Sequence, residues 1–305
     1  ESDRMTGLDL SAEACEVEKR VVIEEFRQRY LNQPYGDMNM LLRALAYERH
    51  PYRWATIGLT PDHIEAATLD EVRDFYRRFY HPSNAILSVS ADIDPDEVFA
   101  LAEKWFAPIA DSGCAATPIP PEPEQRAARR RVVERDVPAT AITVAYHMGD
   151  RLSRDFHAGD MASDLLAGGD SARLYEHLIK GEKLFSGVNV DCGLFVFTGQ
   201  LLPSTTEERA EEALRREAEE LMRGAISDYE MEKVKNKFEA NTLFGELNVM
   251  NKAMNLGYYA MLGDTALVNR EVDIYRSLTA DDVADFSRRT FRAENSSTII
   301  YRAKR

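Results

Sequence analysis

The chain of 305 residues carries 52 acidic and 38 basic side chains, a net charge of -14, with 44% hydrophobic and 30% charged residues. That is the composition of a globular protein with room for two domains, and its negative balance argues against a polyanion such as nucleic acid as partner and favours basic peptides. No run approaches the ~18 apolar residues of a membrane span, and Cys15, Cys114 and Cys192 are too dispersed for a disulfide framework or a cysteine metal site.

The opening ESDRMTG is not a signal peptide, and the compartment stays open between cytoplasm and periplasm. A helix follows over residues 12–31. Wound at about 100° per residue, EVEKRVVIEEF places Val17, Val21, Val22 and Phe26, with Ala14 just before it, in one half of the wheel, with Glu18 and Glu25 in the middle of that half. An ionised carboxylate buried without a partner costs several kcal/mol, so two inward glutamates call either for a cationic partner, most simply an Arg, or for a place at the rim of the packed side. A second helix spans 39–47. Thr68 with Glu71 three residues on is a capping box and opens a third. AILSVSADI reads as a strand, PDEVFALAEKWF as a helix, and residues 107–128, with five prolines among small residues, as the linker between domains.

Beyond the linker, ATAITVAYHMG alternates as a strand, and DFHAGDMASDLLAGG is a helix stopped by glycines. SARLYEHLIK is a short helix and GVNVDCGLFVFTGQLL a strand pair. The charged run over 206–222 and residues 228–243 are helices, another begins at Thr279, and STIIYRA closes the chain as a strand.

An internal repeat organises these elements. TLDEVRDFYRRFYHPSN at 68–84 matches TADDVADFSRRTFRAEN at 279–295 without a gap, at an offset of 279 minus 68, or 211. At an offset of 214, EVEKRVVIEEF lies over EMEKVKNKFEA, setting Glu18 on Glu232 and Glu25 on Glu239. The second copy runs from about Arg129, so a complete first copy would begin at 129 minus 211, or -82. The expectation is a chain lacking roughly the first 80 residues of its first copy, with domains over 1–107 and 129–305 joined by 108–128.

ESDRM, EKRVVIEEF, HPYRWATIG and the run from ATLDEVRDFYRRFYHPSN to AEKWF resemble, in order and spacing over nearly the whole chain, the insulinase/pitrilysin family of inverted zinc metallopeptidases, and in particular its short bacterial members related to the mitochondrial processing peptidase. The resemblance implies an α+β fold: two tandem domains, each an antiparallel-rich sheet with helices on one face, the first truncated at its N-terminus. It also implies zinc. In the family an H-x-x-E-H helix gives two His ligands and a general base, and a downstream Glu is the third ligand. The matching positions make Glu25 the metal ligand and Glu18 a supporting carboxylate.

His50, His63, His81, His147, His157 and His177 include no pair four apart, so the H-x-x-E-H and the catalytic residues are expected upstream of Glu1. The corresponding place in the second copy, HAGDM at 157–161, has one His, so Glu232 and Glu239 are expected to be structural. In the second half many relatives carry an Arg and, seven residues on, a Tyr that bind substrate; here Ile179 and Ser186 stand in those places. The leading expectation is part of a zinc metalloendopeptidase acting on peptides or unfolded segments, without tight zinc binding or activity in the absence of the upstream helix, and able to pair as a homodimer or with a related subunit. The alternatives are a noncatalytic core or assembly subunit of the same family and a module capturing peptides at its sheet edges.

Overall fold

The computed structural model describes residues 1–111, 113, 117–191 and 193–304; Cys114 and Cys192 lie outside them. In chain order the helices are α1 (Ser2–Thr6), α2 (Ala12–Phe26), α3 (Met38–Ala46), α4 (Pro61–Ala66), α5 (Leu69–Phe79), α6 (Pro95–Phe106), α7 (Arg154–Ala167), α8 (Glu207–Met222), α9 (Asp228–Gly245), α10 (Val249–Met261), α11 (Glu271–Ser277) and α12 (Ala280–Thr290). The strands are β1 (Arg129–Arg135), β2 (Ala141–Tyr146), β3 (Phe185–Asp191), β4 (Phe195–Leu201) and β5 (Ser296–Ala303). Two compact units emerge: one of Glu1–Arg29, Thr56–Ile119 and Thr242–Arg270, the other of Tyr30–Ala55, Pro120–Asn241 and Glu271–Arg305. No helix among the described residues is long and apolar enough to cross a membrane.

The second unit holds a five-stranded mixed sheet in the order β1-β5-β2-β4-β3, parallel between β1 and β5 and antiparallel elsewhere. Its central strands are covered on both faces, which is why AITVAY and SSTIIY read as nearly continuous uncharged runs. Ile142, Val144, Tyr146 and Ile300 turn to one face and join Phe195, Phe197, Phe286 and Phe291 beneath α7, α8 and α12. Ala141, Ala145, Ile299 and Tyr301 turn to the other, where α3 places Leu42. The expectation of helices on one face only is therefore corrected: the second face is capped by α3, whose apolar side would otherwise lie in water.

Local chemistry explains the helices. α8 buries Ala210, Ala213, Leu214, Ala218 and Leu221 at helical spacing and leaves most of its charges outside. In α7, Gly159 permits close approach: a Cβ there would stand 2.7 Å from Cζ of Phe286. The matched segments at 68–84 and 279–295 fold alike. Thr68 and Thr279 each form a capping box, with Glu71 and Asp282. Asn84 Nδ2 donates to the Phe79 carbonyl at 3.0 Å, and Asn295 Nδ2 to that of Thr290 at 2.8 Å.

Burial separates them. α12 packs Val283, Ala284 and Phe286 inside its unit, whereas α5 has no buried residue. The expected strand AILSVSADI is not a strand, and Ile86, Leu87 and Val89 are 50%, 55% and 46% exposed. A strand exists only against a neighbour, and among the described residues no strand pairs with residues 86–92. The helix α10 was not anticipated, and the expected helix over 12–31 is α2 continued by a π-helical turn, Arg27–Leu31.

Candidate functional site

On α2 the Ser11 hydroxyl accepts from the Ala14 N–H at 3.2 Å and fixes the start of the helix. The side that packs carries Phe26, 2% exposed, with the Lys19 stem laid against its unit. The covered side overlaps only part of the wheel half that holds the glutamates, taking in Val22 and Phe26 and leaving the rest outside: Glu18 is exposed, Val17 and Val21 are 45% and 54% exposed, and the Glu25 side chain, at the rim, is 39% exposed with its carboxylate 3.0 Å from Arg29 Nη1. The expectation of two carboxylates in a core is corrected. Burying one Phe ring is worth about 1.5–3 kcal/mol, and the helix turns to do so, which leaves Glu18 in solvent and Glu25 half-buried at the rim.

Among the described residues no three or more His, Cys, Asp or Glu side chains are grouped to hold a metal. His63 is exposed on α4, and the other histidines serve the backbone or neighbouring polar groups. His50 Nδ1 accepts from the Tyr52 N–H, His147 Nε2 meets the Ala46 carbonyl at 2.8 Å, and His177 Nδ1 lies 2.9 Å from the buried Glu217. His81 bridges the Arg78 carbonyl and the Ser83 hydroxyl. Burial lowers the His147 pKa. One carboxylate with no imidazole beside it does not make a zinc site, so zinc does not fit the residues present by themselves.

The matching positions of the sheet-bearing unit are occupied by polar contacts among side chains. His157 on α7 is fully buried, its Nδ1 2.8 Å from the Ser153 carbonyl and its Nε2 3.4 Å from Glu271 Oε1, which also accepts from Arg151 at 2.5 Å. One turn on, the Tyr275 hydroxyl donates to Asp160 Oδ2 at 2.5 Å. Burial raises both the Asp160 and the Tyr275 pKa. Met161 lies wholly within the apolar core. On α9, Glu239 accepts from Arg276 Nε at 2.7 Å and also from Nη2, and Glu232 is 3.4 Å from Nη1. A guanidinium is the cation at these two glutamates. Arg276 and Tyr275 went unnoticed in the sequence because α11 is short and its partners lie tens of residues away.

Ile179, in the π-helical segment Tyr175–Gly181, packs against the apolar core. Ser186 is exposed near the start of β3 and donates to the Gln200 carbonyl at 3.3 Å. Neither offers a charge or an aromatic ring to a ligand. The same unit has a cleft of about 790 Å³ between α3 and the strands β2, β3 and β4, where Arg43, Tyr47 and Tyr52 face Thr143, Thr198 and Asp191. Its size is that of a small-ligand pocket, and among the described residues its lining holds no His, Cys or Ser.

The profile described as the peptidase M16 inactive domain matches residues 66–238. The zinc protease PqqE of Helicobacter pylori is 28% identical over 308 residues, covering 98% of this chain and 69% of that protein. An uncharacterized zinc protease of Streptomyces coelicolor is 23% identical, over 98% of this chain and 67% of its own length. Among solved structures, a protease from Helicobacter pylori superposes with a TM-score of 0.92 at 27% identity, over 99% of this chain and 74% of that one. A peptidase M16 inactive domain from Pseudomonas fluorescens gives 0.85 at 18% identity, over 99% and 72%, a likeness of fold. The chain thus spans about two thirds of the length of these curated relatives, and it belongs to the M16 peptidases, the insulinase/pitrilysin family.

Proposed function

We propose that the chain is the greater part of a zinc-dependent metalloendopeptidase that hydrolyses peptides or unfolded segments, built as two tandem copies of one α+β domain over 1–107 and 129–305 with the linker 108–128. On this reading Glu25 is the metal ligand, Glu18 supports it, and an H-x-x-E-H helix lies before Glu1. The observation that carries the reading is the match in sequence between α2 and α9. Where the second copy sets Glu232 and Glu239 against the Arg276 guanidinium of another helix, the first copy has the exposed Glu18 and the half-buried Glu25, the latter met only by Arg29 four residues on, beside the exposed Val17 and Val21. An acidic pair with apolar neighbours at the surface fits a segment that brings both a cation and a packing face. The described residues supply one ligand and no step of hydrolysis is assigned to them.

The test is metal content and peptide cleavage on the polypeptide that includes whatever precedes Glu1, beside its Glu25→Gln variant. One zinc per chain and cleavage, both lost in the variant, are expected; full zinc and full activity in the variant would sink the assignment. A second reading, a noncatalytic core or assembly subunit, is favoured by Ile179 and Ser186 at the substrate-binding places. If cleavage appears only after a related subunit is added, the chain is one partner of a heterodimer; if zinc never binds, it is a scaffold.

A further inference from the structure

The cleft of about 790 Å³ lies on the face of the sheet that α3 only partly covers, and the strand register lays out its floor. Thr143, Thr198 and Asn189 form one row across β2, β4 and β3, and Ala145, Val196 and Asp191 form the next. α3 covers the β2 end of these rows: Leu42 joins Ala145 in one apolar cluster, and Thr143 Oγ1 donates to Met38 Sδ at 3.4 Å. The β3 end stays open, with Asn189 and Asp191 exposed.

Opposite charges stand on the two walls. On α3, Arg43 Nε donates to Asn39 Oδ1 at 3.1 Å and Nη1 to the Tyr52 carbonyl at 3.4 Å, and among the described residues no carboxylate pairs with this half-buried guanidinium. On β3, the Asp191 carboxylate accepts from Asn189 Nδ2 at 3.3 Å, and among the described residues no cation meets it. The guanidinium thus keeps donors for a planar anion, and the carboxylate keeps acceptors for an ammonium. Asp150 also lines the cleft, and two carboxylates repel a polyanion. Between the walls, Leu42, Leu194 and Val196 offer apolar surface.

The Arg43 wall is held in place by its own chain. Glu122 accepts from the backbone N–H groups of Glu48, Arg49 and His50 at 2.6, 2.9 and 2.8 Å. The Tyr47 ring meets those of Tyr52 at 6.0 Å and His147 at 5.0 Å, both edge-on. The span between the walls sets the ligand's length. Adjacent strands lie about 4.8 Å apart, so β3 runs about 10 Å from β2. A single amino acid is too short to bridge that gap, whereas two or three residues at about 3.3–3.6 Å each reach across it.

We infer that this cleft binds an apolar peptide of two or three residues with both ends free, its carboxylate on Arg43, its ammonium on Asp191 and its side chains over Leu42, Leu194 and Val196. The site holds the peptide without cutting it, for among the described residues its lining has no His, Cys or Ser. The inference goes beyond the peptidase reading and stands without zinc or Glu25.

Isothermal titration tests it on the polypeptide extended at its N-terminus by whatever precedes Glu1, in EDTA to prevent metal-dependent hydrolysis, with leucyl-leucine and alanyl-leucyl-alanine as probes. Saturable binding of one peptide per chain is expected, weakened about ten- to hundredfold when the peptide is amidated at its carboxylate or acetylated at its amine. Arg43→Gln should erase the discrimination against the amide and keep that against the acetylated peptide; Asp191→Asn should do the reverse. Glu25→Gln should bind as the parent does, so a failed metal assignment leaves this site standing. The capped peptides test the parent protein directly, independent of how either cleft variant folds. No saturable binding at millimolar peptide, equal binding of free and capped peptides, or leucine binding as well as leucyl-leucine overturns the proposal. So does a discrimination that neither cleft variant changes, which would put the peptide elsewhere.

Discussion

Tyr275→Phe isolates one hydrogen bond in the buried polar group of the sheet-bearing unit. The ring is retained, and with it the stacking on Phe238 at 3.6 Å between centroids; only the hydroxyl that donates to Asp160 at 2.5 Å is lost. A bond to a charged acceptor contributes about 1.5–3 kcal/mol, and leaving the acceptor buried without it costs a similar amount. At about 2–4 °C per kcal/mol for a chain of this order of size, the melting temperature should fall by roughly 3–12 °C. The pH dependence carries the sign. Burial raises the folded Asp160 carboxyl above its unfolded value, with the Tyr275 hydrogen bond opposing. Ionisation therefore penalises the folded state, and the group's contribution is most favourable below the unfolded pKa of about 3.9 and declines as pH rises through the folded one. Removing the hydroxyl raises the folded pKa further. The variant's deficit relative to the parent should grow from acid toward neutral pH and then level. Urea unfolding of both proteins at a series of pH values measures this. A deficit under 0.5 kcal/mol at neutral pH, or one that grows as the solution is acidified, would refute the account.

Gly159→Ala should destabilise by about 1–3 kcal/mol despite the gain in helix propensity, because the new Cβ meets the buried Phe286 ring at 2.7 Å; calorimetry checks it. Thr279→Ala removes a capping box from a helix whose inner face is buried, and a loss of roughly 0.5–2 kcal/mol should register in global unfolding. Leu87→Lys in the chain as it stands should shift the melting temperature little, within the equivalent of about 0.5 kcal/mol, because the side chain is already half exposed; a large loss would show that residues 86–92 are packed. Glu25→Gln, through metal content and cleavage in the extended polypeptide, checks the proposed ligand.

Much of the architecture was readable because it is decided within a turn or two of the chain. The capping boxes at Thr68 and Thr279 are interactions three residues apart and form in both matched segments, whatever surrounds them. The alternation in ATAITVAY and the apolar spacing of α8 likewise announce β2 and a packed helix. Asn84 and Asn295, at matching places in the two similar segments, make the same contact at the ends of α5 and α12.

Orientation and pairing were settled elsewhere. A helical wheel ranks faces by their residues but does not say how much of a face another segment will cover, so α2 buried Phe26 and left Glu18 in solvent and Glu25 at the rim. Residues 86–92 and β5 share a strand-like pattern, and only β5 has β1 and β2 beside it. The cation at Glu232 and Glu239 arrives from Arg276, more than thirty residues along the chain, on a helix of seven residues. Hydrogen bonds and burial between distant segments depend on what the rest of the chain brings to them, and that information enters only when the chain folds.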